Sequence, residues 1–212
     1  SAISSAAASV SSAKPEPLPA SVLLDVPFSS QSPFAVWDAA HEETCEEMSL
    51  IMAMHYVKGD RSLSPPDAEK ELQDLLTWEA AHGYGVDVTI AQLSAIAKSY
   101  YELAPTIIAD VTVENIKRQL AKGIPVIIPA AGRTLGNPYF SGEGPWYHML
   151  VVIGYRESLF GTVFITNDPG TKRGAKYEYK ADVLLNAIHD WTGVKEEIEQ
   201  GDKRMLAVGS QI

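Results

Sequence analysis

The chain carries one cysteine, Cys45, and five histidines. Thr44 precedes the cysteine, Glu47 stands three residues beyond that threonine, and Met48, Leu50, Ile51, Met52 and Met54 follow. This pattern predicts a capping box that opens an apolar helix, with Cys45 at the first helical position. Unpaired N–H groups and positive partial charge at a helix start favour a thiolate. The same N–H groups, that of Cys45 included, stabilise an oxyanion. A lone cysteine is otherwise a small buried hydrophobe, so chemistry requires a base nearby. His148 sits near the start of WYHMLVVIGY, where strand alternation groups it with Leu150 and Val152. It reads either as a structural histidine or as that base. The next strand, VFITNDPG, ends on Asp168. A hairpin folded near Leu159 brings Asp168 beside His148, where an acid fixes the imidazole tautomer and steadies its charged form. Asp-Pro-Gly is also a turn signal, and the two roles are compatible. Gln31, in the loop before the helix, is either a solvated amide or a further oxyanion donor. Glu46 and Glu47 suit the helix dipole but repel a thiolate.

A second chemistry competes for the same cysteine. His41-Glu42-x-x-Cys45 imitates a zinc helix motif, with Glu42 as base and His55 or His148 as a third ligand. It requires the helix to start before the capping box. His82 and His189 carry no comparable signal.

The elements that must position these side chains follow from periodicity. Val22 to Phe28 reads as a strand. Ser64-Pro65 opens a second helix with Leu72, Leu75, Leu76 and Trp78 on its apolar face. Thr89 caps a third, with Ile90, Leu93, Ile96 and Tyr100 at helical spacing; Thr112 caps a fourth, ended by Gly123. From Ile124 the pattern turns to strands: IPVII, Tyr147 to Tyr155, Thr162 to Thr166, Tyr177 to Tyr179 and Met205 to Val208, with a late helix over Ala181 to Trp191. Helices first and an antiparallel sheet second imply an α+β domain of two lobes with a cleft between them. The loop Arg133 to Trp146, rich in Gly, Pro and aromatics, is either a plain connection or a cleft wall in which Trp146 meets substrate.

With 212 residues, 46% hydrophobic and 21% charged, the chain suits one globular domain over residues 21–212 behind an Ala/Ser/Pro-rich flexible tail, residues 1–20. Such a tail hints at an exported bacterial protein on a tether, or at a disordered extension. The net charge of −10 repels nucleic acid and anionic lipid, and no apolar run is long enough to cross a bilayer. A monomer acting on a peptide or protein, without cofactor or metal, is expected.

The run LDVPFSSQ (Leu24 to Gln31), Trp37, Cys45 opening a Met-rich helix, WYHMLVVIGY and NDPG together resemble the bacteriocin-processing peptidases of cysteine-peptidase family thirty-nine, and more closely its stand-alone bacterial relatives. The resemblance runs from about Leu24 to the carboxyl terminus. It implies a papain-like fold with Cys45 as nucleophile, His148 as base, Asp168 as orienting acid and Gln31 in the oxyanion hole. The family usually has glycine after the cysteine, where this chain has Glu46. The transporter ATPase that accompanies the leader peptidases has no Walker A counterpart here. The expected activity is cysteine peptidase. A papain-like domain that binds peptides without turnover, or an acyltransferase using the same triad, are the alternatives.

Overall fold

The computed structural model describes residues 17–210. Most of the proposed tail, residues 1–16, lies outside the described residues, as do residues 211 and 212. Strand β1 (Ser21–Leu23) leads through a long loop and a 3-10 turn (His41–Glu43) into helix α1 (Cys45–Val57). Helices α2 (Pro65–Ala81) and α3 (Ile90–Ser99) follow, then β2 (Ala104–Ile108), α4 (Val113–Ala121), β3 (Val126–Ala131) and the single-turn α5 (Gly132–Leu135). The long strand β4 (Tyr147–Ser158) pairs through a tight turn with β5 (Gly161–Asn167). Then come β6 (Tyr177–Lys180), α6 (Ala181–Ala187), a 3-10 segment (Lys195–Gln200) and β7 (Met205–Gly209).

All strand pairings are antiparallel, in the order β2-β7-β3-β4-β5-β6, with β1 also on β4. Strand β4 is shared along its length. Its first half pairs with β3 and its second half with β1. Helix α1 packs on β4 and is buried on every side from Cys45 to His55. It is therefore a central helix rather than an amphipathic surface one. Its polar residues inside the core consequently need partners, a demand that returns at Glu46 and Glu47.

Several helix starts match the sequence reading. Ser64 accepts from the Asp67 N–H, Thr112 from the Asn115 N–H, and Thr89 and Gln92 form a full capping box. Helix α1 begins at Cys45 as expected, but without the expected box. The Thr44 hydroxyl donates instead to the carbonyls of Gln31 (3.3 Å) and His41 (3.4 Å), and Glu47 is buried rather than folded back on the helix start. The first strand is also shorter than the Val22 to Phe28 predicted. Pro27 has no N–H for a ladder, and the Asn167 side-chain amide takes up the carbonyls of Val26 and Pro27. The late helix stops at Ala187. Ile188 is extended and bridges to Ala130, and the following Asp190 accepts from the Ile90 N–H at the start of α3. The edge strand β2 carried no signal read from the sequence.

Candidate active site

The β4–β5 ladder begins at Val151 opposite Asn167, so the first four residues of β4 have no partner on that side. The sulfur of Cys45 occupies this gap. It accepts the Met149 N–H at 3.3 Å, and its thiol donates to Glu46 Oε2 at 3.0 Å. Cys45 is the first residue of α1, so its own N–H has no acceptor within the helix. The sulfur is nearly buried yet lines a cleft of about 330 Å³, shared with Gln31, Trp37, Phe140, Trp146, His148 and Gly170.

His148 stands one residue before the N–H that holds the sulfur. Its Nε2 donates to Asp168 Oδ1 at 2.7 Å, with both residues buried. The chain turns sharply after β5, and the Gly170 N–H closes onto the same Oδ1 at 3.0 Å. The second oxygen, Oδ2, accepts from the Tyr179 hydroxyl at 2.8 Å and the Asn137 amide at 3.2 Å. Burial alone would raise this carboxyl. The charge and hydrogen bond of His148, then Tyr179 and Gly170, hold it below the ordinary carboxylate range. Phe140 meets the imidazole edge-on at 5.2 Å between ring centres. Gly170 packs so closely on it that a Cβ there would lie 2.8 Å from His148 Cε1. Clamped in this way, the ring keeps Nε2 for Asp168 and leaves Nδ1 as the nitrogen free to exchange a proton.

The thiol is set differently. Burial first, then the adjoining Glu46 carboxyl, push Cys45 well above the usual thiol value, with the Met149 N–H pulling the other way. Burial in turn pushes Glu46 up to about 8, limited by the Cys45 thiol and the Val88 N–H. Below that pH Glu46 presents an uncharged group to the sulfur, which removes the repulsion expected from an acid in this position. Among the described residues the sulfur's hydrogen-bond partners are Glu46 and Met149, not the imidazole.

Gln31 is buried in the cleft wall. Its backbone N–H donates to the Pro169 carbonyl at 2.9 Å, tying its loop to the turn after Asp168. One N–H of its side-chain amide donates to the His41 carbonyl at 2.8 Å, and a second N–H remains. Trp146 is half-buried on the rim with the Arg133 guanidinium stacked over its ring at 3.5 Å. The zinc arrangement does not assemble. His41 lies in the 3-10 turn, not on α1, and its ring nitrogens meet Asp38 and Glu69. Among the described residues no group of three His, Cys, Asp or Glu side chains is arranged to hold a metal. No described helix is long and apolar enough to cross a membrane.

Residues 23–198 match the Peptidase_C39 like family. The chain belongs to that family. A Bacillus anthracis protein of known crystal structure, described as a C39-like peptidase, superposes with a TM-score of 0.57 at 15% identity, covering 90% of this chain and 98% of its own. UfSP from C. elegans matches with a TM-score of 0.48 at 15% identity, over 96% of this chain and 36% of that one. The recombinant stem bromelain precursor gives 0.46 at 10% identity, over 92% and 72%. No curated protein matches the sequence. The mixed helical and antiparallel architecture is thus the fold of the C39-like peptidases.

Within this C39-like chain, the sequence reading missed the second layer of the site. Tyr179 and Asn137 carried no signal, because their role depends on β6 and the loop after α5 meeting at Asp168. Gly170 was visible in NDPG, but only as a turn residue. The Met149 N–H is a backbone group that no side-chain motif reveals.

Proposed function

We propose that this protein is a cysteine peptidase that cleaves a peptide or amide bond through a thioester on Cys45. The observation that carries the reading is the 2.7 Å contact of His148 Nε2 with Asp168, in the same cleft as a sulfur at a helix start. In this reading substrate enters past Trp146. His148 Nδ1 takes the proton of the Cys45 thiol as the sulfur attacks the carbonyl carbon. The Cys45 N–H and the second amide N–H of Gln31 receive the carbonyl oxygen as it gains charge. His148 then gives the proton to the leaving amine, and the C–N bond breaks to leave the thioester. Water, deprotonated by His148, attacks the thioester, releasing the acid and returning the thiol. Asp168 acts through His148, keeping the ring oriented and its charged form stable. We take residues 21–212 as the peptidase domain.

A library of peptides digested with and without a thiol blocker tests this reading. Cys45→Ala and His148→Ala should each abolish cleavage, while Gln31→Ala should leave a residue of activity, reduced about a hundred- to a thousand-fold. A Cys45→Ser variant as active as the parent would refute it.

The raised thiol and its bond to Glu46 favour a second reading, a papain-like domain that binds peptides with little or no turnover. A cysteine-directed electrophile separates the two. An enzyme's Cys45 reacts quickly and slows in His148→Ala, whereas a binding domain's Cys45 reacts like an ordinary buried thiol in both. An acyltransferase would share the fast labelling but release an amide when an amine replaces water.

A further inference from the structure

A second cavity of about 330 Å³ opens on the other side of the segment that precedes Cys45. Glu43 lines both cavities, and Thr44 lines this one while Cys45 lines the cleft. Its walls are Ala39, Ala40, Leu76, Ala80, Tyr84 and Val86, and its charged groups are all acidic: Glu43, Glu47 and Glu79. Glu47, from α1, and Glu79, from α2, are more than nine-tenths buried and close enough that each carboxyl shifts the other's titration. Among the described residues, the enclosed Glu47 Oε2 and Glu79 Oε1 have no hydrogen-bond partner. Two buried carboxyls with an unfilled acceptor each, in a cavity with no lysine, arginine or histidine in its wall, are a costly arrangement for a plain core. A cation on an aliphatic stem suits both parts of it: the stem meets the apolar wall, and the head meets the carboxyls of Glu47 and Glu79.

We propose that this cavity is a substrate subsite that receives the side chain of a lysine or arginine in the peptide bound across the cleft. The proposal rests on the peptidase reading for the identity of the ligand, but not for the existence of the site. Without ligand the pair keeps its charge low by holding protons. Burial pushes Glu79 up to about 7, and burial together with the Glu46 and Glu79 charges pushes Glu47 well above the ordinary carboxyl value. An entering ammonium or guanidinium replaces a proton, which leaves to solvent. Binding therefore strengthens as pH rises through neutrality. The other titratable groups facing the pair are Glu46 on α1, Glu43 and Tyr84 on the rim, and Tyr101 after α3. Lys195, 3.7 Å from Glu43, is the nearby cation, held at the rim on the catalytic side.

The test uses the full chain carrying Cys45→Ala, titrated by calorimetry with n-butylammonium, n-butylguanidinium and 1-butanol at pH about 5 and about 8. The cations should bind at the higher pH and weaken at least tenfold at the lower, while butanol binds at neither. Glu79→Gln and Glu47→Gln should each abolish the cation signal, and Glu42→Gln, on the wall of the catalytic cleft, should not. A check independent of any variant's folding is proton release. The binding heat of the Cys45→Ala protein should differ between buffers of different ionisation enthalpy. Equal affinity for butanol and the cations, or buffer-independent heat, overturns the proposal. With the active chain, peptides carrying lysine should be cleaved faster than the same peptides carrying norleucine. Cation binding with indifferent cleavage would assign the cavity to a free amine and overturn the subsite. Cation binding with no cleavage of any peptide would count against the peptidase reading and leave the cavity's cation site standing.

Discussion

Asp168 and the trio Glu46, Glu47 and Glu79 are all buried carboxyls, yet they behave oppositely. Asp168 is surrounded by donors: an imidazole, a backbone N–H, a phenol and an amide. It stays ionised with its acidity increased. Glu46 has a thiol and a long bond from the Val88 N–H at 3.4 Å, while Glu47 and Glu79 have chiefly each other. All three are pushed toward the neutral form. Burial is common to both regions, so the number and kind of donors decide which carboxyl holds a charge. The fold places a committed anion behind the histidine and nearly uncharged acids behind the cysteine. In the proposed mechanism the imidazole needs that anion and the thiol needs that neutrality.

The largest test of this contrast is Asp168→Asn, which keeps the shape and removes the charge. It should lower peptide turnover by about ten-thousand-fold, since the imidazole loses the acid that fixes its tautomer. Activity within tenfold of the parent would mean that the anion is dispensable. Next is Gly170→Ala. The added methyl meets His148 Cε1 at 2.8 Å and Phe140 Cε1 at 3.0 Å, so the ring must shift. Turnover should drop about a hundredfold, with kcat rather than KM carrying the loss. A smaller effect is expected from Glu46→Gln. Above pH about 8 the parent carboxyl is ionised and opposes the thiolate, so the variant should react with iodoacetamide about tenfold faster at that pH. The difference should vanish in mild acid, and a slower variant would show that Glu46 assists the thiol.

The smallest effect is on stability. Glu46 and Glu79 have raised folded values, about 8 and about 7. Between the ordinary carboxyl value and those values the folded chain holds more protons than the unfolded one. Their favourable contribution is complete below the ordinary value and is lost as pH rises through about 7 to 8. Asp168 has the opposite sign: its contribution is present above the ordinary aspartate value and is lost as pH falls through its lowered one. The melting temperature should therefore be several degrees higher near pH 5 than near pH 8. Glu79→Gln should flatten that slope. A melting temperature that climbs over the same range would contradict the assignment of these acids as neutral.

The sequence made the backbone of this arrangement legible where local chemistry and tertiary need coincide. Thr89-x-x-Gln92 caps a helix because both partners lie within one turn. The hairpin at Leu159 registers His148 against Asp168 because strand period and turn length leave little freedom. Cys45 appeared at a helix start for the wrong local reason. The Thr44 hydroxyl serves carbonyls of the preceding loop, and tertiary packing on β4 holds the helix in place. What stayed hidden depends on segments distant in sequence meeting in space. Tyr179 reaches Asp168 from β6, and Glu79 meets Glu47 only because α2 packs on α1. Glu42, Glu43, Glu46 and Glu47 form one acidic run along the chain. The fold divides it between a cleft rim, a contact with Cys45 and the wall of the second cavity.

Because β1 zips onto the far half of the strand that begins at His148, the stretch from Pro19 to Leu24 acts as a splint. Pro19 receives the Tyr155 hydroxyl, Ala20 the Glu157 N–H, and Leu24 donates to Ile153. These three bonds fasten the segment to β4 at separate positions rather than at one point. Trimming the chain to Leu24 removes the splint and leaves that edge of β4 bare, about five residues of strand, or roughly 15 Å, beyond His148.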